Sequence, residues 1–446
     1  MNSTAVSAPA GQSSARTART ARTAVAASTI GSILEYYDFF VYGTLSALVF
    51  GQLFFPSDNA AVSTLLSLAS FAVGFVARPL GGILLGHFGD RIGRKPLLLF
   101  TFLLTGVVTV LIGLLPTYAQ IGLAAPLLLV FLRILQGIGI GGEWGGAALL
   151  AVEHAPAHKK GLYGSLVQAG APVGVILSSG SVALLTATLT QEQLLSWGWR
   201  IPFLASALLL LVGLFLRFKV AESPEFDMIK KTGTKVKQPV WQAIRTYPKQ
   251  IVTAILIHMS DTTLGLIQGV FILGYASGVL GMNPTIVLLA NIFSSVMNLI
   301  TTPLAGMLGD RIGQKRVVMM GLVGLALWAF PMFLLIGTET VVGLFIAMGV
   351  GGILVGWLFS GQATLFAAFF PAEVRYSGMS LGFQIGTVFG GGFGPLIAQA
   401  LTGATDGATW SVSLYMLVIA IAALIATSTV KMQPRAARTT IGADAA

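Results

Sequence analysis

The stretch Gly86-His-Phe-Gly-Asp90-Arg-Ile-Gly93-Arg-Lys95 recurs, 220 positions later, as Gly306-Met-Leu-Gly-Asp310-Arg-Ile-Gly313-Gln-Lys315. Both copies sit in the same setting. Segments of about 18 or more apolar residues mark helices that cross a bilayer. Reading outward from the first copy predicts six of them: Ala27–Phe54, Ser63–Gly86, Leu97–Leu115, Ile121–Val152, Leu162–Leu189 and Ile201–Phe218. Around the second copy lie Ile251–Tyr275, Thr285–Leu308, Val317–Ile336, Val341–Phe370, Ser377–Leu401 and Trp410–Val430. Each copy closes the second helix of its set. A further match, Gln168-x-Gly170-x-x-x-Gly174 with Gln384-x-Gly386-x-x-x-Gly390, falls in the fifth helix of each set. A six-helix unit repeated in the same sense predicts an all-α membrane protein of twelve helices in two bundles. The expected divisions are a disordered tail over 1–26, bundles over 27–219 and 251–430, a polar linker over 220–250 and a second tail over 431–446.

Composition excludes the other classes. Apolar residues fill 55% of the chain and charged residues only 9%, against about 25% in a soluble domain, too few to keep a water-facing surface in solution. The 54 glycines suit helices that pack closely in a membrane. There is no cysteine, and the four histidines are scattered, so no metal site is expected. The net charge of +10 follows topology rather than a nucleic-acid partner. With both termini in the cytoplasm, all of the 26 Lys and Arg except Arg78, Arg133 and Arg200 fall in the tails or in loops of that side. The opposite loops, among them Pro56–Ala61, Pro116–Gln120 and Gly337–Thr340, carry none. That is the positive-inside pattern. The first 25 residues are rich in Ser, Thr and Ala with Arg16, Arg19 and Arg22; an organelle transit peptide fits them too, but a cytoplasmic tail is the preferred reading.

The motif G-x-x-G-D-R-x-G-R-K resembles the loop signature of the major facilitator superfamily. Further stretches are similar to its metabolite:H⁺ symporter family, in particular the branch with a bacterial shikimate transporter. They are Glu35-Tyr-Tyr-Asp38-Phe-Phe-Val-Tyr42-Gly43, Ala77-Arg78-Pro79-Leu-Gly-Gly82 and Arg133-x-x-Gln136-Gly-x-x-x-Gly-Gly142-Glu143-Trp144-Gly-Gly146. Trp197-Gly-Trp-Arg200-Ile-Pro-Phe203 and Glu222-Ser-Pro-Glu225-Phe226 fit the same family. The resemblance implies proton-coupled uptake of a small, usually carboxylate-bearing metabolite across a bacterial inner membrane. Known relatives carry α-ketoglutarate, citrate, aromatic acids, or proline and betaine. It also implies a monomer whose partners are a solute and the bilayer, with the proton as coupling ion and no cofactor.

The loop motif reads as a cytoplasmic gate. Its glycines, Gly86, Gly93, Gly306 and Gly313, allow tight helix ends. Asp90 and Asp310 can accept hydrogen bonds from exposed amides, and Arg91, Arg94, Arg311 and Lys315 supply partners. The plainer reading, that these cations only set orientation, weakens because the motif occurs twice.

A charge at the bilayer centre costs about 3 kcal/mol, so those present need a reason. Glu35 and Asp38 lie three apart on one face of the first helix, with Tyr42 extending the stripe. Arg133 and Gln136 face one way on the fourth helix. In related sugar–proton symporters the acid that Asp38 resembles pairs with the fourth-helix arginine. Burial disfavours a charged carboxyl and a nearby guanidinium favours it, so a step that changes their separation loads or releases a proton. A static clamp between helices is the alternative. Arg78 binds a substrate carboxylate or braces the gate. Glu143 reads as packing or an ion pair in preference to a solute contact. On the seventh helix His258 and Asp261 form a plausible relay, or an interhelical hydrogen bond, with Gln268 beyond. This departs from the shikimate branch. Tyr42, Arg133 and Gln136 are also expected to contact solute, and Gln168, Gln268, Asn291, Asn298 and Gln384, with Ser295, are candidates to bind a hydroxylated solute, or to join helices.

The leading expectation is a symporter of a small organic acid. An exporter of the same fold is the first rival, although Gly170-Ala-Pro172-Val-Gly174 lacks the full motif usual in antiporters. A compatible-solute symporter and a sensor that no longer cycles are others. No nucleophile–base constellation suggests an enzyme.

Overall fold

A computed structural model describes residues 29–92, 94–141, 152, 155, 156, 158–218, 239–371 and 374–430. Side chains of 83–98, 216–218 and 239 are outside the described set, as are Gly93, Glu143, both predicted tails and the linker up to 238. Among the described residues twelve long helices follow in order: α1 (Thr29–Phe54), α2 (Ala60–Ile92), α3 (Arg94–Leu114), α4 (Ala124–Ile140), α5 (Lys160–Thr188) and α6 (Arg200–Phe218). The second half repeats them as α7 (Pro248–Gly278), α8 (Pro284–Ile312), α9 (Gln314–Ile336), α10 (Val341–Phe369), α11 (Arg375–Ala404) and α12 (Trp410–Thr429). Short helices at Tyr118–Ile121 and Pro239–Thr246 lie between them.

The helices start and stop where local chemistry directs. Asn283 accepts from the Thr285 amide at 2.8 Å and Pro284 opens α8. Thr340 accepts from the Gly343 amide at 3.1 Å at the start of α10. At the far end of α8, Gly313 has φ +99°, a region that side chains disfavour, which explains the glycine there. The second helix of each half runs further than expected, to Ile92 and Ile312 instead of Gly86 and Leu308. The charged motif is therefore the last turn of a helix rather than a loop after it.

Arg200 is resolved by this geometry. Its guanidinium donates to the carbonyls of Gly113 at 2.9 Å and Leu115 at 2.6 Å, capping the end of α3 where the helix dipole is negative. Beside it, Trp199 and Phe203 are fully buried with Phe50 and Phe54 of α1, and Tyr37 donates to the Pro202 carbonyl at 2.9 Å.

Glycines set the close crossings. Gly170 and Gly174 put α5 against backbone of α1, where an added Cβ would lie 2.5 Å from the Thr29 and Ile33 carbonyl oxygens. Gly386 and Gly390 do the same for α11 on α7, against Ile255 and Met259. The second repeated motif is thus the packing seam of each bundle. Side chains such as Leu127, Leu208, Leu327 and Leu334 point outward, as a lipid-facing surface requires.

Candidate solute and proton site

Contacts between the halves occur at two levels. Near the linker end, Asp310 at the foot of α8 accepts from the amides of Gly161 (2.7 Å) and Leu162 (3.0 Å) at the start of α5. Thr364 of α10 donates to the Lys160 carbonyl at 3.1 Å, and Gln384 of α11 to the Gly141 carbonyl at 2.9 Å. Towards the opposite end, Gly43 and Gly269 bring α1 and α7 together against Val270 and Phe40, and Thr186 meets Thr285 at 3.0 Å. Between these levels lies a partly open cavity lined by α1, α5, α7, α8 and α10.

One wall of the cavity is apolar, with Tyr36, Phe40, Pro172 and Phe359. The other carries Asp261, Gln268, Asn291, Ser294, Ser295 and Asn298. Gln268 donates to the Met348 carbonyl at 3.0 Å, in a space left by Gly351, and Asn291 donates to Ser179 at 2.9 Å across the two halves. Asn298 is turned back on its own helix, where it accepts from Thr302 at 2.8 Å. Arg78 is buried and meets Glu35 at 3.4 Å, its guanidinium 3.9 Å from the Phe39 ring centre and 4.7 Å from that of Phe75. Nη2 makes the contact with Glu35, and among the described residues Nε has no hydrogen-bond acceptor.

Asp38 and Arg133 make no direct ion pair. They are the ends of a ladder through two neutral side chains. Arg133 donates to Gln136, Gln136 donates to Thr109 at 2.8 Å, and Thr109 donates to Asp38 Oδ2 at 2.9 Å. The guanidinium is held back by the Phe71 carbonyl (3.1 Å) and the Tyr42 ring (4.0 Å), in a notch opened by Gly74 of α2. The Thr109 hydroxyl has one hydrogen and a second acceptor in reach, the Thr105 carbonyl at 3.0 Å. Asp38 also borders a small crevice with Glu35, Thr105 and Ser206, separate from the central cavity.

In the other half His258 is fully buried. Its Nδ1 lies 2.9 Å from Gln362 Oε1 and 3.1 Å from Asp261 Oδ1, and its Nε2 lies 2.8 Å from Thr387. Gln362 donates to Asp261 at 2.6 Å.

Over residues 23–238 the sequence matches the family model "Sugar (and other) transporter", and over 251–445 "Major Facilitator Superfamily". It is 40% identical to the shikimate transporter of Escherichia coli, over 87% of this chain and 90% of the relative. The chain belongs to the major facilitator superfamily. Within that superfamily it is also 40% identical to the E. coli inner membrane metabolite transport protein YhjE, over 90% of this chain and 92% of that one. Identity to an E. coli proline/betaine transporter is 31%, over 91% and 82%. The fold matches the partially occluded inward-open xylose transporter XylE of E. coli with a TM-score of 0.72, at 22% identity over 93% and 99% of the two chains. The chain is therefore a secondary transporter of small solutes, with the twelve-helix architecture of its superfamily, and not an enzyme.

Several expected solute contacts lie elsewhere than expected. Tyr42 is fully buried in the aromatic cluster, its hydroxyl 2.7 Å from Ser70, and neither it nor Arg133 and Gln136 lines the central cavity. Gln168 is buried in α5, and Gln384 bridges the halves. Among gate residues, Lys315 turns to the Ser428 and Val430 carbonyls at 3.1 Å each, bracing the end of α12, and Arg311 is exposed. Gly306 forms the α5 crossing against Gly161 and Ser165. Asp90, Arg91 and Arg94 have their side chains outside the described residues, as does all of Gly93, and Gly86 is described only as helical backbone. Sequence reasoning missed Thr109, Gln362, Thr387 and Ser179. Each is a neutral residue inside an apolar helix, whose importance comes only from what it faces.

Proposed function

We propose that this transporter takes up a small organic acid together with a proton, across a bacterial inner membrane and with both termini on the cytoplasmic side. The ladder from Arg133 to Asp38 is the observation that carries the reading. A carboxylate there accepts from Thr109. A protonated Asp38 donates to the same oxygen, and Thr109 then turns its hydrogen to the Thr105 carbonyl. Both proton states are satisfied with the heavy atoms in place, as a proton carrier needs. Each proton entering with solute would contribute roughly 2.3 kcal/mol per 100 mV of membrane potential.

The cavity supports an acid with hydroxyl groups on a compact apolar body. Amides and hydroxyls of α7 and α8 line it together with Tyr36 and Phe40, while Arg78, outside that lining and paired with Glu35, is the buried cation that a solute carboxylate would have to draw away from its partner. Contacts between halves at both ends support alternating access, with one set opening at a time. Asp261 in the cavity wall favours a second reading, a zwitterionic compatible solute whose cationic group it would face.

Reconstituted vesicles test this. Entry of shikimate-like or aromatic carboxylates that acidifies the lumen is the expected result. Solute entry with lumen alkalinisation would point to exchange, uptake of proline or betaine alone to the second reading, and no flux of any metabolite would sink transport of these classes.

A further inference from the structure

His258 is a buried titratable group that the Asp38 ladder does not use. It sits one turn deeper than Asp261, and its ring stacks on Phe383 with centroids 3.8 Å apart. Its neighbours decide which proton states it can hold. On the Nδ1 side are two oxygens, Gln362 Oε1 and Asp261 Oδ1. The Gln362 amide is oriented by its own donation to Asp261, so its oxygen faces the ring. Nδ1 therefore carries a hydrogen in every satisfied arrangement that keeps Asp261 ionised.

The Nε2 side is different. Its neighbour is the Thr387 hydroxyl, which has a second acceptor in reach, the Phe383 carbonyl at 2.8 Å. When His258 is neutral, Thr387 donates to Nε2. When a proton binds at Nε2, that N–H donates to Thr387, and the hydroxyl hydrogen turns to Phe383. No heavy atom moves and no donor or acceptor is stranded. Asp261, in contact at Nδ1, offsets the imidazolium charge, and the Phe383 face is a favourable surface for a cation.

On α10 and α11 the ring meets Phe359, Gln362, Phe383 and Thr387, none of which titrates. From α1, Tyr36 lies in the field of Asp261, Glu35 and Arg78, and on α12 Tyr415 lies beside Thr263. Asp261 lines the central cavity, so the cluster has a face towards the solute path. Thr387 belongs to a π turn of α11, Thr387–Gly392, whose glycines Gly391 and Gly392 pack on Phe75 of α2 in the other half.

We propose that His258, with Thr387 as a hydroxyl switch and Asp261 as counter-charge, is a second proton-binding site that loads and unloads during transport. The site rests on the chain being a proton-coupled carrier, and adds to Asp38 rather than replacing it.

The test is the number of charges moved per solute, measured by reversal of solute flux at set pH gradients in vesicles. His258→Gln should move one proton fewer per solute than the unmodified protein. Thr387→Val should lose the same proton, and Thr387→Ser should restore it. An unchanged ratio in His258→Gln with flux intact overturns the site while leaving Asp38 coupling in place. Absence of coupled charge in the unmodified protein overturns both. Should His258→Gln fail to fold, ¹⁵N-histidine spectra of unmodified and Thr387→Val protein in nanodiscs decide. As the pH is lowered, one buried resonance should gain a second N–H, and Thr387→Val should alter that gain. Four histidine resonances that Thr387→Val leaves untouched overturn the proposal.

Discussion

Asp310 of α8 accepts the backbone N–H of Gly161 at 2.7 Å, so an acid of one half caps the first turn of a helix in the other. Its second oxygen takes the Leu162 amide at 3.0 Å. Two charge-assisted bonds to free helix amides, on a positive dipole end, make this a latch that holds only when the halves meet.

Asp310→Asn should loosen that latch. Loss of the charge at a half-exposed site should cost about 1–2 kcal/mol, roughly tenfold in the closed population. The chain has no cysteine, so Ser165→Cys, buried at the same crossing, can report it by maleimide labelling. Faster labelling in the Asp310→Asn background is the expected outcome, and equal rates would count against the latch.

Asp38→Asn should abolish accumulation against a gradient while exchange of labelled solute for unlabelled continues. The amide keeps the size of the acid but cannot cycle a proton. If the variant still concentrates solute, the coupling lies with Glu35 or Asp261.

Thr109→Val tests the ladder itself. It cuts the path from Gln136 to Asp38 without changing side-chain volume much. Concentrative uptake should fall at least about tenfold, in line with a hydrogen bond to a charged group. Thr109→Ser should recover most of it; if valine is as active as serine, the ladder is only structural.

Gly74→Ala should be destabilising. The new Cβ would lie 2.6 Å from Arg133 Nη2, and the guanidinium is already held by Phe71, Gln136 and Tyr42. Overpacking of this kind costs about 1–3 kcal/mol. Gly403→Ala, with nothing within 4 Å, is the control. A drop in detergent melting temperature for the first alone is expected, and equal behaviour of the two would refute the notch.

The fold was legible because its two main signals are periodic. Apolar length marked the spans, and Gly86–Lys95 with Gly306–Lys315 marked the halves. Charges in apolar helices likewise drew attention to Asp38, Arg133, His258 and Asp261. What they touch was not legible. A threonine such as Thr109 or Thr387 is unremarked in a membrane helix, where its hydroxyl usually serves the carbonyl one turn back. Tyr42 read as part of a polar stripe, yet its ring lies in the aromatic cluster around Phe50, Phe71 and Phe203, and its hydroxyl needs only Ser70. Gln384 read as a cavity amide, but a repeat in sequence does not say which neighbour the half-turned helix will meet.

The first helices of the two halves each contain a π turn, Ser46–Phe50 in α1 and Ile267–Phe271 in α7, 221 positions apart. A π turn is an α-helix with one residue too many, and the surplus swings everything beyond it by about 100° around the axis. Glu35, Tyr36 and Asp38 thus keep one facing while Phe50 and Phe54 take another, and Asp261 is likewise out of step with Tyr275. The turn in α7 carries Gly269 and Val270, the residues that meet Phe40 and Gly43 of α1, so the surplus residue sits where the halves press together.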